Sequence, residues 1–143
     1  MNVMEMIRRK FYDLVISDFA GEYGEALSIK LENHKFQQPI DEPFLALYMI
    51  NTASARASIG TVAKFQRHCG FLCIECQVPA ETGTGAMWLM AEAVTRVLEE
   101  KQTSLDDGSY FTTGTAKKYG NTSQDANYFV TVMVPFDADE CKP

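Results

Sequence analysis

The side chains with the most chemical potential in this chain of 143 residues are thiols. Cys69, Cys73 and Cys76 stand at CxxxCxxC spacing, with His68 beside the first and Cys141 near the C-terminus. That spacing matches a short pattern of cluster-binding radical enzymes, and His68 and Cys141 could add ligands for zinc. The surrounding residues, however, alternate as a β-strand from Phe71 to Val78. In a strand Cys73 and Cys76, an odd number of positions apart, project from opposite faces and cannot share one ion. Enzymes of the radical type also need a much larger parallel barrel. Small buried or half-buried thiols are the simpler reading.

The other chemical candidates are weaker. His68 next to Cys69 could activate a thiol, but His34 and His68 are the only histidines and neither belongs to a recognisable triad. Gly83-Thr84-Gly85 precedes a helix and offers amide groups to an anion, yet no Lys follows as a Walker A motif requires, and Trp88 stands where GxGxxG needs its third glycine. A strand-to-helix turn explains these glycines without a ligand. Arg8, Arg9 and Lys10 form the single basic run of three; spread over a helical turn it reads as a solvated face, or more sharply as a dock for an acidic partner.

The whole chain carries a net charge of -6 with an isoelectric point near 4.9. This disfavours loose binding to a nucleic-acid backbone, which needs clustered Lys and Arg. A chain this long buries roughly 70% of its unfolded surface, so one domain spanning residues 1–143 is expected. With no secretory signal and no apolar run of bilayer length, the expectation is a soluble chain made in a cytoplasm, with its four cysteines reduced.

The elements follow from hydrophobic periodicity. Met4, Ile7, Phe11, Leu14 and Val15 recur at helical spacing, predicting an amphipathic helix over the first 18 residues that Gly21 and Gly24 break. Leu27, Ile29 and Leu31 alternate as a short strand. Residues 44–51 are apolar on both faces, as in a central strand or one buried at an interface. Residues 52–58 read as a hairpin arm or loop, 59–65 as a possible return strand, and the Gly70 strand ends at Pro79. After it, Thr84 can cap a helix whose stripe is Met87, Met90, Ala91, Val94, Val97 and Leu98. Residues 109–113 suit a strand and 117–125 a polar loop. Tyr128, Val130, Val132, Val134 and Phe136 write a strong last strand, in which Pro135 suggests an ending at a sheet edge. Residues 136–143 read as a flexible acidic tail.

Helix, strands, helix, strands predicts an α+β domain: a mostly antiparallel sheet with two α-helices packed on one face, plus a hairpin or loop arm. The other face would carry Phe71, Cys73, Glu75, Gln77, Phe129, Thr131 and Met133. Half apolar and wet, such a face marks a contact surface. Self-association is the expectation.

These pieces in order resemble the tail terminator proteins of long-tailed bacteriophages, the group that includes the minor tail protein U of phage lambda. The residues that carry the likeness are Leu31-Glu32-Asn33 followed by Phe36 and Pro39, a strand opening at Pro43-Phe44, and the Gly70 strand closing in Val78-Pro79 before a glycine turn and helix. The resemblance implies a non-enzymatic virion protein that is assembled in the host cytoplasm. It would form a homohexameric ring on the head-proximal end of the tail tube, stop tube polymerisation and offer the head-joining surface. Its implied partners are copies of itself, the tail tube protein and the neck proteins of the head-tail connector. DNA would pass through the lumen without specific binding, and neither a cofactor nor a membrane nor a small-molecule substrate is implied.

Apolar exposure and loop composition, not the family pattern, suggest which residues act. Subunit contacts are expected at Leu45, Leu47, Met49, Phe71 and Glu75, and tube or neck contacts at Arg56, Lys117 and Lys118. Two rival functions stand beside this one: a neck or head-completion protein, and a small Cys/His metal- or thiol-dependent enzyme.

Overall fold

In a computed structural model, the described residues are 2–37, 39, 42–56, 64–79, 83, 85–124 and 127–142, without the side chains of 53–56, 64, 65, 121–124 and 140–142. Helix α1 (Val3–Tyr23) starts where the Asn2 side chain accepts from the Met4 N–H at 2.7 Å. It ends at Gly24, whose φ of 102° is the left-handed value of a helix C-terminus and whose N–H donates to the Ala20 carbonyl at 2.8 Å. The helix therefore runs past residue 18 and through Gly21. Helix α2 (Gly85–Leu98) buries every residue of its predicted stripe, together with Ala93. The predicted cap, Thr84, lies outside the described residues.

Among the described residues seven strands form one sheet: β1 (Ser28–Leu31), β2 (Phe44–Arg56), β3 (Lys64–Pro79), β4 (Gln102–Ser104), β5 (Tyr110–Thr113), β6 (Lys117–Gln124) and β7 (Asn127–Lys142). Their order is β1-β2-β3-β7-β5-β4, with β6 also paired to β7. Only β1 with β2 is parallel; the other pairs are antiparallel. The α+β fold with two helices and a mostly antiparallel sheet is as the periodicity predicts.

Register fixes the two faces. Leu45 pairs with Cys76 and that with Val130; Leu47 with Ile74 and Val132; Met49 with Leu72 and Val134. These rows, with Ile7, Phe11, Val15 and Phe19 of α1 and the α2 stripe, make one core. Each fully buried Leu, Ile, Val or Phe in it stabilises by roughly 1.5–3 kcal/mol. Leu45, Leu47 and Met49, expected at subunit contacts, are 0%, 2% and 9% exposed and pack inside the core of the protomer. With both faces of the strand apolar, sequence did not say which face the helices cover.

Three further boundaries differ. Residues 117–124 are strand β6, not a polar loop, because their ladder to β7 satisfies the backbone without an apolar side-chain pattern. Residues 137–142 continue β7 along β3 and so are no frayed tail. Pro135 lies mid-strand, between Met133, where pairing to β6 ends, and Phe136, where pairing to β5 begins. In that gap its missing N–H deprives no partner strand, and its carbonyl accepts from the Gly114 N–H at 2.9 Å.

Candidate assembly surface

The face turned away from the helices is built from four cross-strand rows. Register sets Ile50, Phe71 and Pro135 in the first; Tyr48, Cys73, Met133 and Lys117 in the second; Ala46, Glu75, Thr131 and Tyr119 in the third; and Phe44, Gln77 and Phe129 in the last. Phe36 packs on Phe44 with ring centroids 5.3 Å apart and shuts that end. Elsewhere the face is mixed in polarity and partly exposed: Ile50 is 39% and Tyr119 52% exposed, Tyr48, Phe71, Glu75, Phe129, Thr131 and Met133 are half-buried, and Ala46 and Cys73 are buried among them. Of the residues expected at subunit contacts, Phe71 and Glu75 lie here. Glu75 accepts from the Gln77 side chain at 3.1 Å, and Asn127 donates to Gln77 at 3.4 Å.

The thiols divide as strand geometry requires. Cys73 is buried on this outer face beside Tyr48, and burial pushes its thiol up to about 11. Burial likewise raises the Tyr48 phenol to about 12. Cys76 lies in the core on the opposite face, and its thiol is pushed up to about 12 by burial. Both stay protonated and unreactive at neutral pH. His68 and Cys69, adjacent in β3, project to opposite sides. Among the described residues no group of three His, Cys, Asp or Glu side chains is placed to hold a metal ion.

Beyond Gly70, β2, β3 and β7 continue together as a three-stranded ribbon. A register shift between Asn51 and Ala53 opens it, and Gly70 makes it possible: a Cβ there would lie 2.0 Å from the Ile50 carbonyl oxygen. Within the ribbon Arg67 donates to both Asp139 oxygens, at 2.9 and 3.2 Å, and these bonds hold the Asp139 carboxyl below its ordinary value. The ribbon is the hairpin arm that residues 52–58 suggested. Residues 57–63 lie outside the described residues, as does the side chain of Arg56.

The predicted cations separate. Lys117 and Lys118 are both exposed on β6, but register turns Lys117 to the outer face and Lys118 to the helix side. In the basic run, Arg8 pairs with Glu5 at 3.0 Å and Glu32 at 3.6 Å, and Arg9 with Glu5 at 3.8 Å. Two of its three charges are thus engaged within the protomer, as a solvated helix face would be. Sequence reasoning missed Tyr48 and Ile50, which belong to the second parity set of the doubly apolar strand, and Tyr119, which was hidden in an apparent loop. It also missed Trp88 and Leu89, which are 36% and 59% exposed on α2.

A family model described as phage tail terminator protein matches residues 10–136. The match is to that family and carries no assignment to the lambda U subgroup. No curated protein sequence matches the chain. A solved structure without a descriptive name is similar over 98% of this chain and 97% of its own, with a TM-score of 0.73 at 17% identity. A second, from the virion of a native gene transfer agent particle, is similar over 96% and 98%, with a TM-score of 0.67 at 14% identity. At such identities these two share the fold.

Proposed function

The chain belongs to the phage tail terminator family and is a structural protein of the virion tail; from that premise we propose that it caps the head-proximal end of the tail tube as a homohexameric ring. The ring stops addition of tube subunits and presents the surface that the neck proteins join. It is put together in the host cytoplasm, catalyses no reaction, and lets DNA pass its lumen without specific binding.

The observation that carries this reading is the outer sheet face, on which no helix packs, where Ile50 and Tyr119 are exposed and Phe71 and Met133 half-buried, on a protomer whose helices already close the other side. Apolar surface of that kind is stabilised when copies or tail neighbours cover it. A terminator must match the last tube ring on one side and deny the next subunit a matching surface on the other. The β2-β3-β7 ribbon and exposed Lys117 and Lys118 are the contacts assigned to tube or neck, and Arg56 joins them by its place in the ribbon. The subunit seam moves from Leu45, Leu47 and Met49 to Tyr48, Ile50, Phe71 and Glu75.

Electron microscopy of particles assembled without this protein tests the reading. Abnormally long headless tails are expected; tails of normal length beside filled heads would instead indicate a neck protein.

A further inference from the structure

The C-terminal end of α2 breaks two local rules. Glu99 and Glu100 follow its last residue, Leu98, where the negative end of the helix dipole disfavours a carboxylate. Glu100 also has a φ of 53°, the left-handed conformation that glycine adopts at such an end and that strains other residues. Neither choice helps the helix. What the two residues hold is the corner between β5 and β6.

Hydrogen bonds converge on that corner from both sides. The Glu99 carboxylate accepts from the Ala116 N–H at 2.7 Å, and the Glu100 carboxylate accepts from the Thr115 hydroxyl at 3.1 Å. The Glu100 N–H donates to the Gly114 carbonyl at 3.2 Å, and the Gly114 N–H donates in turn to Pro135. Residues 114–116 are therefore gripped between the end of α2 and the point where β7 leaves β6 for β5. Strand β6 starts at the next residue, Lys117. Its Lys117, Lys118 and Tyr119 side chains are exposed, and its ladder to β7 is interrupted between Tyr119 and Thr122. Strand β5, by contrast, has its own anchors in buried Phe111 and Thr113.

We propose that Glu99 and Glu100 are positioning residues: they clamp the root of β6 and so hold Lys117 and Lys118 in place for the tube or neck. The inference rests on the contact role given to those lysines above and adds what fixes them. Ordering a loosely held strand opposes binding, and a clamped root removes part of that cost beforehand.

Variants of the full chain test it by amide hydrogen exchange, thermal unfolding and the yield of joined particles in an assembly extract lacking the wild-type protein. Glu99→Ala should speed exchange across β6 about tenfold, as loss of a charge-assisted bond does, with β5 unchanged. Glu99→Gln keeps an acceptor oxygen and should restore most of the protection. Glu100→Gly separates a clamp from a helix cap. Glycine relieves the left-handed backbone, so the unfolding midpoint should hold or rise, while β6 exchange still quickens and joining falls. Wild-type exchange of β6 in Glu99→Ala and Glu100→Gly, or a quickening shared equally by β5, would overturn the clamp. Loosened β6 with full joining, both in these variants and in the Lys117→Ala, Lys118→Ala double, would instead refute the contact role of the lysines and remove the proposal with it.

Discussion

Replacing Gly70 with alanine should be among the most damaging small changes in the protein. The added Cβ would lie 2.0 Å from the Ile50 carbonyl oxygen, 3.0 Å from the Ile50 carbonyl carbon and 2.9 Å from Cε1 of Phe136. Phe136 can give a few tenths of an ångström; the Ile50 backbone cannot, because its neighbours are held in the β2-β3 ladder on both sides. Relief needs a backbone shift of about 1 Å where the ribbon begins, and overpacking of this sort costs about 3 kcal/mol, the upper part of its usual span. In a domain of this size each kcal/mol moves the midpoint by about 3–4 °C, so thermal unfolding should come about 10 °C earlier. Gly21→Ala is the control, since nothing lies within 4 Å of its added Cβ. In the last turn of α1 it should stabilise by about 0.5 kcal/mol, the lower part of the gain for a helix interior. Circular dichroism melts of both variants read the difference, and a Gly70→Ala midpoint equal to wild type would refute the close approach and the ribbon bend built on it.

Other expectations follow from the same packing. Thr113→Val removes a hydroxyl that donates to the Leu98 carbonyl at 2.5 Å and accepts from the Lys101 N–H at 2.9 Å, closing the end of α2. Its loss should cost about 1–3 kcal/mol in urea unfolding. Leu47→Ala should cost about 3 kcal/mol by emptying core volume, while Ile50→Lys should change stability by less than about 0.5 kcal/mol and abolish assembly. The reverse pattern would return the seam to the helix side. Cys73 and Cys76 titrate from 9.0 in the ordinary state to about 11 and about 12 when folded. The unfolded chain therefore loses those protons first, and their stabilisation, intact below pH 9, drains away as pH rises towards 11 and 12. Unfolding midpoints should fall through that alkaline window, and a profile flat across it would contradict the burial of both thiols.

Much of the fold was legible because burial leaves a period in the sequence. The α2 stripe from Met87 to Leu98 and the Val130, Val132, Val134 alternation each have one wet side, so their faces could be assigned. Residues 44–50 carry apolar groups at both parities. Alternation could locate that strand but not orient it, and the subunit contacts were placed on the core side. Strands held by backbone ladders rather than by packing left no period at all. Residues 117–124 and 137–142, rich in Lys, Ser, Asn and Asp, therefore read as loop and tail. Gly70 was visible as a strand residue; its close approach to Ile50 depends on a register shift that no local pattern encodes.

The mass of this protein bound at the end of a purified tail tube tests the central claim most directly. The account predicts a discrete oligomer with the mass of a hexamer, lost on Ile50→Lys. A single protomer per tube end, or full assembly by that variant, would contradict it.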